Sequence, residues 1–503
     1  MIRKLLLVAI VLLLIGAAGL FLFARSVLSP DSVRTTLEQQ LSSRLGQPVS
    51  IGSARAAIFP RVALELGDVT IGPAAQININ RITIATGLRG LLSRRVEDAE
   101  VVLSGGRLTL PAVLALAPTS TQSASTGPGT GFTVASVRVI SLRGVAIVVG
   151  ETSLQVDLES ALEGDRLDVS RLSARSERTR LAATGALTSV SGLQGKFTVT
   201  ADPLDVDELL TIASGATTTS AAPRGESRSQ SAAPMRVALD IKAARGRFAG
   251  YGFSNLAATL EAVPAHVTMP SLGLSIFGGT FSGSLALDSS RATPRIQVRG
   301  KIAGLDVSQL AASAGAPGSI TGRLAGTMGL SADATGADSM MRTARGTATA
   351  TVTDGVIPHL DMVRAIVLAF GKPNGAPPAG SGSAFTKLGG DFTLQNGLLR
   401  SDNLAMHSRD FDLAGRATLG VPGGAVDAVA DVTLSAELTS QAGTDLRRYA
   451  QENGRVVVPA RVSGTIGQPS VALDIGAAAR RAFENELKRK TRGLLDGLFK
   501  KRK

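Results

Sequence analysis

The residues with the clearest capacity for chemistry are the three histidines, and their spacing predicts neither a catalytic site nor a metal site. His266, His359 and His407 lie far apart, and none has a second ligand at the short spacing that zinc sites use. The chain also has no cysteine, which excludes disulfides and thiol chemistry. We therefore expect the three histidines to be ordinary exposed or half-buried side chains, and we expect no metal.

Motifs for nucleophilic attack and for phosphate binding are also missing from the sequence. No Gly-x-Ser-x-Gly elbow occurs, and neither a Walker sequence nor a Gly-x-Gly-x-x-Gly helix opening follows a predicted strand. The glycine pairs at 278–279 and 423–424 lie in predicted turns between strands. We therefore expect a protein that is not an enzyme and that needs no cofactor.

The apolar faces of predicted strands are the features left to bind a ligand. Apolar and polar residues alternate in segments 236–242, 295–302, 391–395 and 470–475, a pattern typical of antiparallel strands with one wet face. The apolar positions are our candidate lipid-binding residues, namely Val237, Leu239, Ile241, Ile296, Val298, Ile302, Phe392, Leu394, Val471, Leu473 and Ile475. Because few helical segments could cover these faces, two alternatives remain open: an ordinary sandwich core, or a curled sheet whose groove holds hydrocarbon chains.

The N-terminal segment predicts a membrane anchor. An uncharged apolar run from Leu5 to Phe23 lies between the basic pair at 3–4 and Arg25. As a helix rising about 1.5 Å per residue, this run is long enough to cross a hydrocarbon core of about 30 Å. The short positive flank predicts a cytoplasmic N-terminus, so that the rest of the chain lies outside the cytoplasm. A cleaved signal peptide is the alternative interpretation.

The C-terminal segment is strongly basic and amphipathic. From Arg480 to Lys503, ten basic residues stand against three acidic ones. The apolar stripe and the basic residues beside it are Phe483, Leu487, Leu494, Leu498, Lys488, Arg489, Lys490 and Arg492. This pattern predicts a helix that lies in a lipid headgroup layer, and a helix that caps the open end of the sheet is equally compatible with it. Aromatic residues are only 3% of the chain, so we expect no nucleic-acid partner.

Between these ends, the sequence predicts one clear helix at 31–45 and then strand after strand. Four low-complexity segments should form exposed loops or disordered connectors, namely Pro118–Gly131, Ser214–Pro234, Ala311–Ser319 and Gly371–Ser383. A weak repeat places Leu-Asp-Val at 204–206 and 305–307, and Leu-Asp-Met at 360–362 is a third copy. In each copy, we expect the aspartate to cap a short helix.

Both ends of the sequence resemble the AsmA family of Gram-negative envelope proteins. The stretches that carry the resemblance are Leu37–Gly52, Ile58–Gly72, Phe385–Arg400, Leu404–Gly420 and Val456–Ile475. The resemblance implies a mainly β fold, in which an inner-membrane anchor precedes a long curled antiparallel sheet with a chorein-type hydrophobic groove, a few short helices and a C-terminal amphipathic helix. It also implies a bulk periplasmic body that moves phospholipid toward the outer membrane and supports outer-membrane integrity, and it carries over no catalytic residue.

The corresponding domain organisation has five parts. They are an anchor at 1–28, an AsmA-like N-terminal region at 29–117, central sheet segments with low-complexity insertions at 132–370, an AsmA-like C-terminal region at 384–476 and the basic helix at 477–503. The expected partners are the inner membrane and phospholipids, together with outer-membrane or envelope proteins. The alternative function is a scaffold or assembly factor for outer-membrane proteins that adds strands at its sheet edges.

Overall fold

The computed structural model divides the chain into two compact units that meet between Pro264 and Ala265. It describes residues 30–57, 62–73, 76–87, 95–96, 98–109, 133–134, 137–150, 152–218, 235–421, 424–442 and 451–474, with single positions at 112, 444, 447, 476, 477 and 480. The predicted anchor helix and the predicted C-terminal helix lie outside these residues. In the part of the chain that is described, no helix is long and apolar enough to cross a membrane.

The described part of unit 1 is built almost entirely of strands. Its helices are α1 (Pro30–Leu45) and α2 (Val206–Thr218). Its strands are β1 (Val49–Ala57), β2 (Val62–Ile71), β3 (Ile77–Thr86), β4 (Arg95–Val96), β5 (Ala99–Ser104), β6 (Arg107–Thr109), β7 (Thr133–Val134), β8 (Val137–Val149), β9 (Thr152–Glu163), β10 (Arg166–Arg175), β11 (Arg180–Ser189), β12 (Gln194–Ala201), β13 (Leu204–Asp205), β14 (Arg236–Phe248) and β15 (Tyr251–Val263). Strands β4 and β7 form a small separate ladder.

The predicted helix at 31–45 is confirmed as α1, and it closes the first edge of the unit 1 sheet. Leu37 and Leu41 are buried in the core of the unit. On the same helix, the Ser42 hydroxyl accepts a hydrogen bond from the Val49 amide of β1 at 2.9 Å. The Glu38 carboxylate accepts another from the Ile51 amide at 2.7 Å. Side chains of α1 therefore occupy backbone donors that an open edge strand would offer to another chain.

The predicted antiparallel sheet is mixed, and the parallel pairs of unit 1 correct that expectation. Strand β8 pairs in parallel with β5 and β6, and β14 pairs in parallel with β12 and β13. Parallel neighbours require a long crossover connection, because the chain must return to the same end of the sheet. The low-complexity segments Pro118–Gly131 and Ser214–Pro234 fall in these two connections, so they have a topological role that their composition alone does not reveal.

Unit 2 is an antiparallel sheet whose strands pair in chain order, except that β24 pairs with β26. Its strands are β16 (His266–Ile276), β17 (Gly279–Asp288), β18 (Arg295–Asp306), β19 (Arg323–Asp333), β20 (Arg345–Ile357), β21 (Ser383–Gln395), β22 (Leu398–His407), β23 (Phe411–Gly420), β24 (Ala425–Leu434), β25 (Gln451–Glu452), β26 (Arg455–Thr465) and β27 (Gln468–Leu473). Its helices are α3 (Val307–Ser313), α4 (Ala337–Thr343), α5 (Met362–Ala369), α6 (Ala436–Gln441) and a 3₁₀ turn at Pro373–Gly375.

The aspartates of the weak repeat act in two different ways. Asp205 and Asp306 accept hydrogen bonds from backbone amides in the first turns of α2 and α3, as predicted. Asp361 precedes α5 but makes no cap bond to it. Its two carboxylate oxygens instead accept bonds from the Gly380 amide at 2.7 Å and the Gly382 amide at 2.9 Å. The prediction for the third copy was therefore wrong, because this carboxylate holds a loop.

Two of the low-complexity segments are better ordered than their composition predicts. In Ala311–Ser319, the first residue lies in α3 and both end residues are buried. In Gly371–Ser383, the Arg364 guanidinium donates to the Pro377 carbonyl at 2.6 Å, and Ser383 is buried. Of the two predicted alternatives, an exposed loop therefore fits most of 371–382, while a disordered connector fits neither segment, because each is tied to a neighbouring helix.

We expect Asp361→Ala to release the loop at 371–383. Two backbone amides would lose their charged acceptor, which should cost the loop about 2 kcal/mol of local stability. Hydrogen exchange at 378–383 should then accelerate by about thirtyfold, since about 1.4 kcal/mol corresponds to a tenfold change. Asp354→Ala, at an exposed position of β20, is the control and should leave that exchange unchanged. An unchanged rate in Asp361→Ala would contradict the loop-holding role.

Candidate apolar binding face

The candidate residues of unit 2 line up in rows across neighbouring strands. One row of direct cross-strand partners includes Val298, and a second row includes Ile302. The first row consists of Met269, Leu285, Val298, Leu330, Gly346 and Leu394. The second consists of Leu274, Phe281, Ile302, Gly326, Ala350 and Gly390. We call the side of the sheet that carries these rows the apolar face of unit 2.

The apolar face of unit 2 differs in burial from the core of the same unit. Val298, Leu330 and Leu394 are only half-buried, and none of them belongs to the buried cluster or packs against it. Val432 and Val456, by contrast, are 0% exposed inside that cluster. Half-buried apolar side chains still expose surface to water, and burying that surface would be favourable. The face is therefore a surface on which another apolar molecule could be stabilised.

The helices explain why the core of unit 2 does not extend over this face. Helix α5 supplies Met362 and Ile366 to the core, and α6 supplies Leu438. Helices α3 and α4 contact β18 and β19, the strands that directly precede them. Among the side chains described in these two helices, the buried ones are Val307 and Ala311 of α3. None of the helices described in unit 2 therefore contributes a core residue over the rows of Val298 and Ile302.

The candidates of β14 form a comparable face in unit 1. Val237, Leu239 and Ile241 lie opposite Gly195, Phe197 and Val199 of β12, and opposite Ala262, Leu260 and Ala258 of β15. All three candidates are half-buried and lie outside the core cluster of unit 1. The structure thus places them beside apolar neighbours within the sheet.

The remaining candidates divide between two environments. Ile296 pairs with Ala332 and Leu287 at one end of the apolar face of unit 2, and Phe392 lies opposite Ala348. Val471 and Leu473 instead pack against the core of unit 2. Ile475 and all eight candidates for membrane-surface contact lie outside the described residues. The sequence left open an ordinary sandwich core or a groove for hydrocarbon chains. An ordinary core accounts for the candidates of β27. The core cluster does not cover the face around Val298.

Phenylalanines placed over glycines are a feature that the sequence did not reveal. A Cβ added to Gly300 would lie 2.4 Å from the Phe281 ring, and a Cβ on Gly246 would lie 2.3 Å from the Phe253 ring. Phe385 covers Gly355 in the same way. Such aromatic–glycine pairs stabilise strands at positions where a glycine permits bending. A search for Phe and Gly on adjacent predicted strands could have suggested them only if the register were known.

Two of the histidines lie beside aspartates on the sheet surface. His266 Nε2 lies 3.3 Å from Asp288, its cross-strand partner, and His407 Nδ1 lies 3.1 Å from Asp412. Asp412 also accepts a hydrogen bond from Arg455 at 2.8 Å. Burial of this carboxylate raises its pKa, but the bonds from Arg455 and His407 outweigh burial and leave the pKa below its ordinary value. Among the described residues, no group of three His, Asp or Glu is placed to hold a metal.

We expect Asp412→Asn to destabilise unit 2 in a pH-dependent way. A carboxylate with a lowered pKa stabilises the fold above its ordinary pKa of about 3.9, and this contribution is lost as the pH falls through the lower folded value. The variant should lose about 1 kcal/mol at pH 7, because the pair is partly solvent-screened. The difference from the parent should shrink as the pH falls below the ordinary value and vanish once the pH lies below the lowered folded pKa. Urea unfolding, followed by hydrogen exchange in β23 at pH 7 and at acid pH, measures this loss of stability.

Asp427→Asn is the matched control for this prediction. Asp427 pairs with Arg461 at 3.0 Å on the more exposed part of the same sheet. Its loss should cost no more than a few tenths of a kcal/mol, about the lower end for exposed ion pairs. An Asp412→Asn penalty that stayed equal at pH 7 and at acid pH would show that charge is not the cause.

Comparison with known proteins supports the family resemblance through the middle of the chain, which includes one of the resembling stretches, Phe385–Arg400. The model of the AsmA family matches residues 211–404, which include β14 to β21 and most of β22. No curated protein and no solved structure matches the chain. The resemblance read from the two ends is thus confirmed by the middle, where the uncovered apolar strands lie. Residues 211–404 match the model of the AsmA family, and this match supports the identification of the chain as an AsmA family protein.

Proposed function

We propose that the protein binds the acyl chains of phospholipids on its uncovered apolar strands and thereby contributes to phospholipid transport toward the outer membrane. The observation that carries this proposal is the half-burial of Val298, Leu330 and Leu394 outside the core. A hydrocarbon chain has no polar group to satisfy, so a face of Val, Leu, Ile, Phe and Gly is chemically sufficient to hold it. Binding of this kind needs no catalytic residue, and the proposed role is non-enzymatic.

The width of the face suits an extended hydrocarbon chain. The row through Val298 runs across six neighbouring strands, from β16 to β21. With strands about 4.8 Å apart, this row spans about 24 Å. A lipid tail could therefore lie along one row and contact a side chain or a glycine at every strand. Residues on such a row offer a continuous path with no charged group on the same side of the sheet.

Location follows from the same proposal. The family match favours association with the cell envelope, and the apolar run from Leu5 to Phe23 would supply a single-pass inner-membrane anchor with the body in the periplasm. The basic segment from Arg480 onward would add a second contact with anionic lipid. Reporter fusions placed within 119–131 should behave as exported, and a mature N-terminus near Ser26 would exclude the anchor.

The scaffold alternative lacks support at the described edge of unit 1. Strand addition requires free backbone donors on an edge strand. The Val49 and Ile51 amides of β1 are already bonded to α1. In unit 2, β27 carries Pro469, which has no amide to donate. The apolar face is therefore the better-supported basis for a function.

Native mass spectrometry of the full chain, released from detergent, tests the proposal. We expect the parent protein to carry added masses that correspond to phospholipid, and we expect Leu239→Glu and Val298→Glu to carry fewer. Asp240→Asn, one residue from Leu239 on the polar side of the sheet, and Ser282→Glu, at an exposed polar-side position of β17 beside β18, are the matched controls and should bind like the parent. A parent protein that carries no lipid under gentle release would contradict the proposal.

A further inference from the structure

An open hollow of about 660 Å³ lies on the polar side of the unit 2 sheet and is lined by three arginines. Arg295 and Arg299 come from β18, and Arg345 comes from β20, two strands away. The remaining lining includes the polar side chains Gln297, Ser331, Thr347, Thr393 and Gln395. Gly329 lies between Arg299 and Thr347 in the cross-strand register, and its missing side chain leaves space at the floor.

The three guanidinium groups have donors that the described protein does not use. The Arg295 Nη2 donates to the Ser331 hydroxyl at 3.1 Å, but its Nε is buried and has no hydrogen-bond partner among the described residues. Arg299 and Arg345 are exposed and form neither an ion pair nor a hydrogen bond with any described residue. An unsatisfied buried donor costs free energy, and neighbouring like charges repel. An anion in the hollow would relieve the repulsion, and the exposed guanidinium groups of Arg299 and Arg345 have donors to offer it.

The absence of carboxylates distinguishes this hollow from two others on the polar sides of the sheets. A hollow in unit 1 contains Arg175 and Arg180 together with Asp157 and Asp202. A second hollow in unit 2 contains Lys387 together with Asp391. The lining of the arginine hollow includes no acidic side chain. The acidic groups nearest in register are Asp288 and Asp333, which lie opposite Arg295 and outside the lining.

We propose that this hollow binds an oxyanion of the phosphate type. Arginine presents a planar fork of donors that matches two phosphate oxygens at once, and the hydroxyl and amide groups around it can donate further bonds. Strands two apart are about 10 Å from each other, so Arg299 and Arg345 can approach one phosphate group from opposite sides. The site lies on the face opposite to Val298, and it therefore does not depend on the proposed binding of acyl chains.

Site-resolved modification by phenylglyoxal, an arginine-specific reagent, tests this site in the full chain. The protein is held in neutral detergent, and the modification rate at each arginine is read by mass spectrometry. Inorganic pyrophosphate is added in one arm, and phosphatidylglycerol is added to the micelles in another. Arg416, on the exposed side of β23 in the same unit, serves as the internal control because it lies outside the hollow.

We expect the oxyanion to slow modification of Arg299 and Arg345 by about fivefold or more, the effect of about one charged hydrogen bond, and to leave Arg416 unchanged. Protection by pyrophosphate would identify a dissolved phosphate as sufficient, and protection by phosphatidylglycerol alone would identify a lipid headgroup. Arg299→Gln with Arg345→Gln should weaken pyrophosphate binding by about tenfold or more in a calorimetric titration. If neither pyrophosphate nor phosphatidylglycerol slowed the modification of Arg299 and Arg345 more than that of Arg416, the proposal would be overturned.

Discussion

We expect a glutamate at Val298 to leave unit 2 folded but to abolish the proposed lipid binding, whereas a glutamate at Val432 should unfold the unit. Val432 is 0% exposed within the core cluster, so a carboxylate there would be buried without a partner. That penalty is about 3 to 5 kcal/mol, a large part of the stability of a domain. Val298 is half-buried outside the cluster, so a carboxylate there can keep much of its hydration. We expect it to cost about 1 kcal/mol.

Two measurements separate these outcomes. Hydrogen exchange in β18 to β20 reports folding of unit 2, and lipid extraction with quantification reports the bound ligand. Ser282→Glu adds the same charge at an exposed position on the polar side of the neighbouring strand β17 and should change neither result. Unfolding by Val298→Glu to the same extent as by Val432→Glu would show that the face is a dry core, and the lipid proposal would then lose its basis.

The second large effect is expected at Gly326. A Cβ added to this residue would lie 2.0 Å from the Thr349 carbonyl oxygen and 3.1 Å from the Ala350 Cα. Both atoms belong to the backbone of β20, so no side-chain rotation can relieve the clash. Gly326→Ala should therefore force β19 and β20 apart and destabilise unit 2 by about 2 to 4 kcal/mol.

Gly467→Ala is the control for this prediction. Gly467 lies in the turn between β26 and β27, and a Cβ there would meet nothing within 4 Å. Its substitution should change the midpoint of urea unfolding very little, while Gly326→Ala should lower it clearly. Equal midpoints in the two variants would contradict the close approach of β19 and β20.

Local patterns predicted the single elements of the fold well. The helical spacing of Leu37 and Leu41 located α1, and the alternation around Val298 located β18 and the correct apolar side. Both patterns depend only on side-chain period, which the chain carries locally. The parallel pairs at β8 and β14 were missed, because pairing across a long connection leaves no local signal.

The candidate site was predictable in composition but not in extent. Alternation places Val298 and Val471 equally on apolar strand faces, yet the first lies outside the core and the second packs against it. The difference arises from where α5 and α6 pack, which the sequence of the strands does not encode. The arginine hollow was missed for the same reason, since Arg299 and Arg345 are 46 positions apart and meet only through the strand register.

The most direct test of lipid binding compares two adjacent residues on opposite sides of one strand. A photoreactive amino acid replaces Ile302 in one variant and Lys301 in the other, and the full chain is irradiated in cells whose lipids are radiolabelled. We expect lipid adducts from position 302 and few or none from position 301, because only the former lies on the apolar face. Equal labelling at both positions, or labelling at neither, would contradict the assignment of this face to lipid.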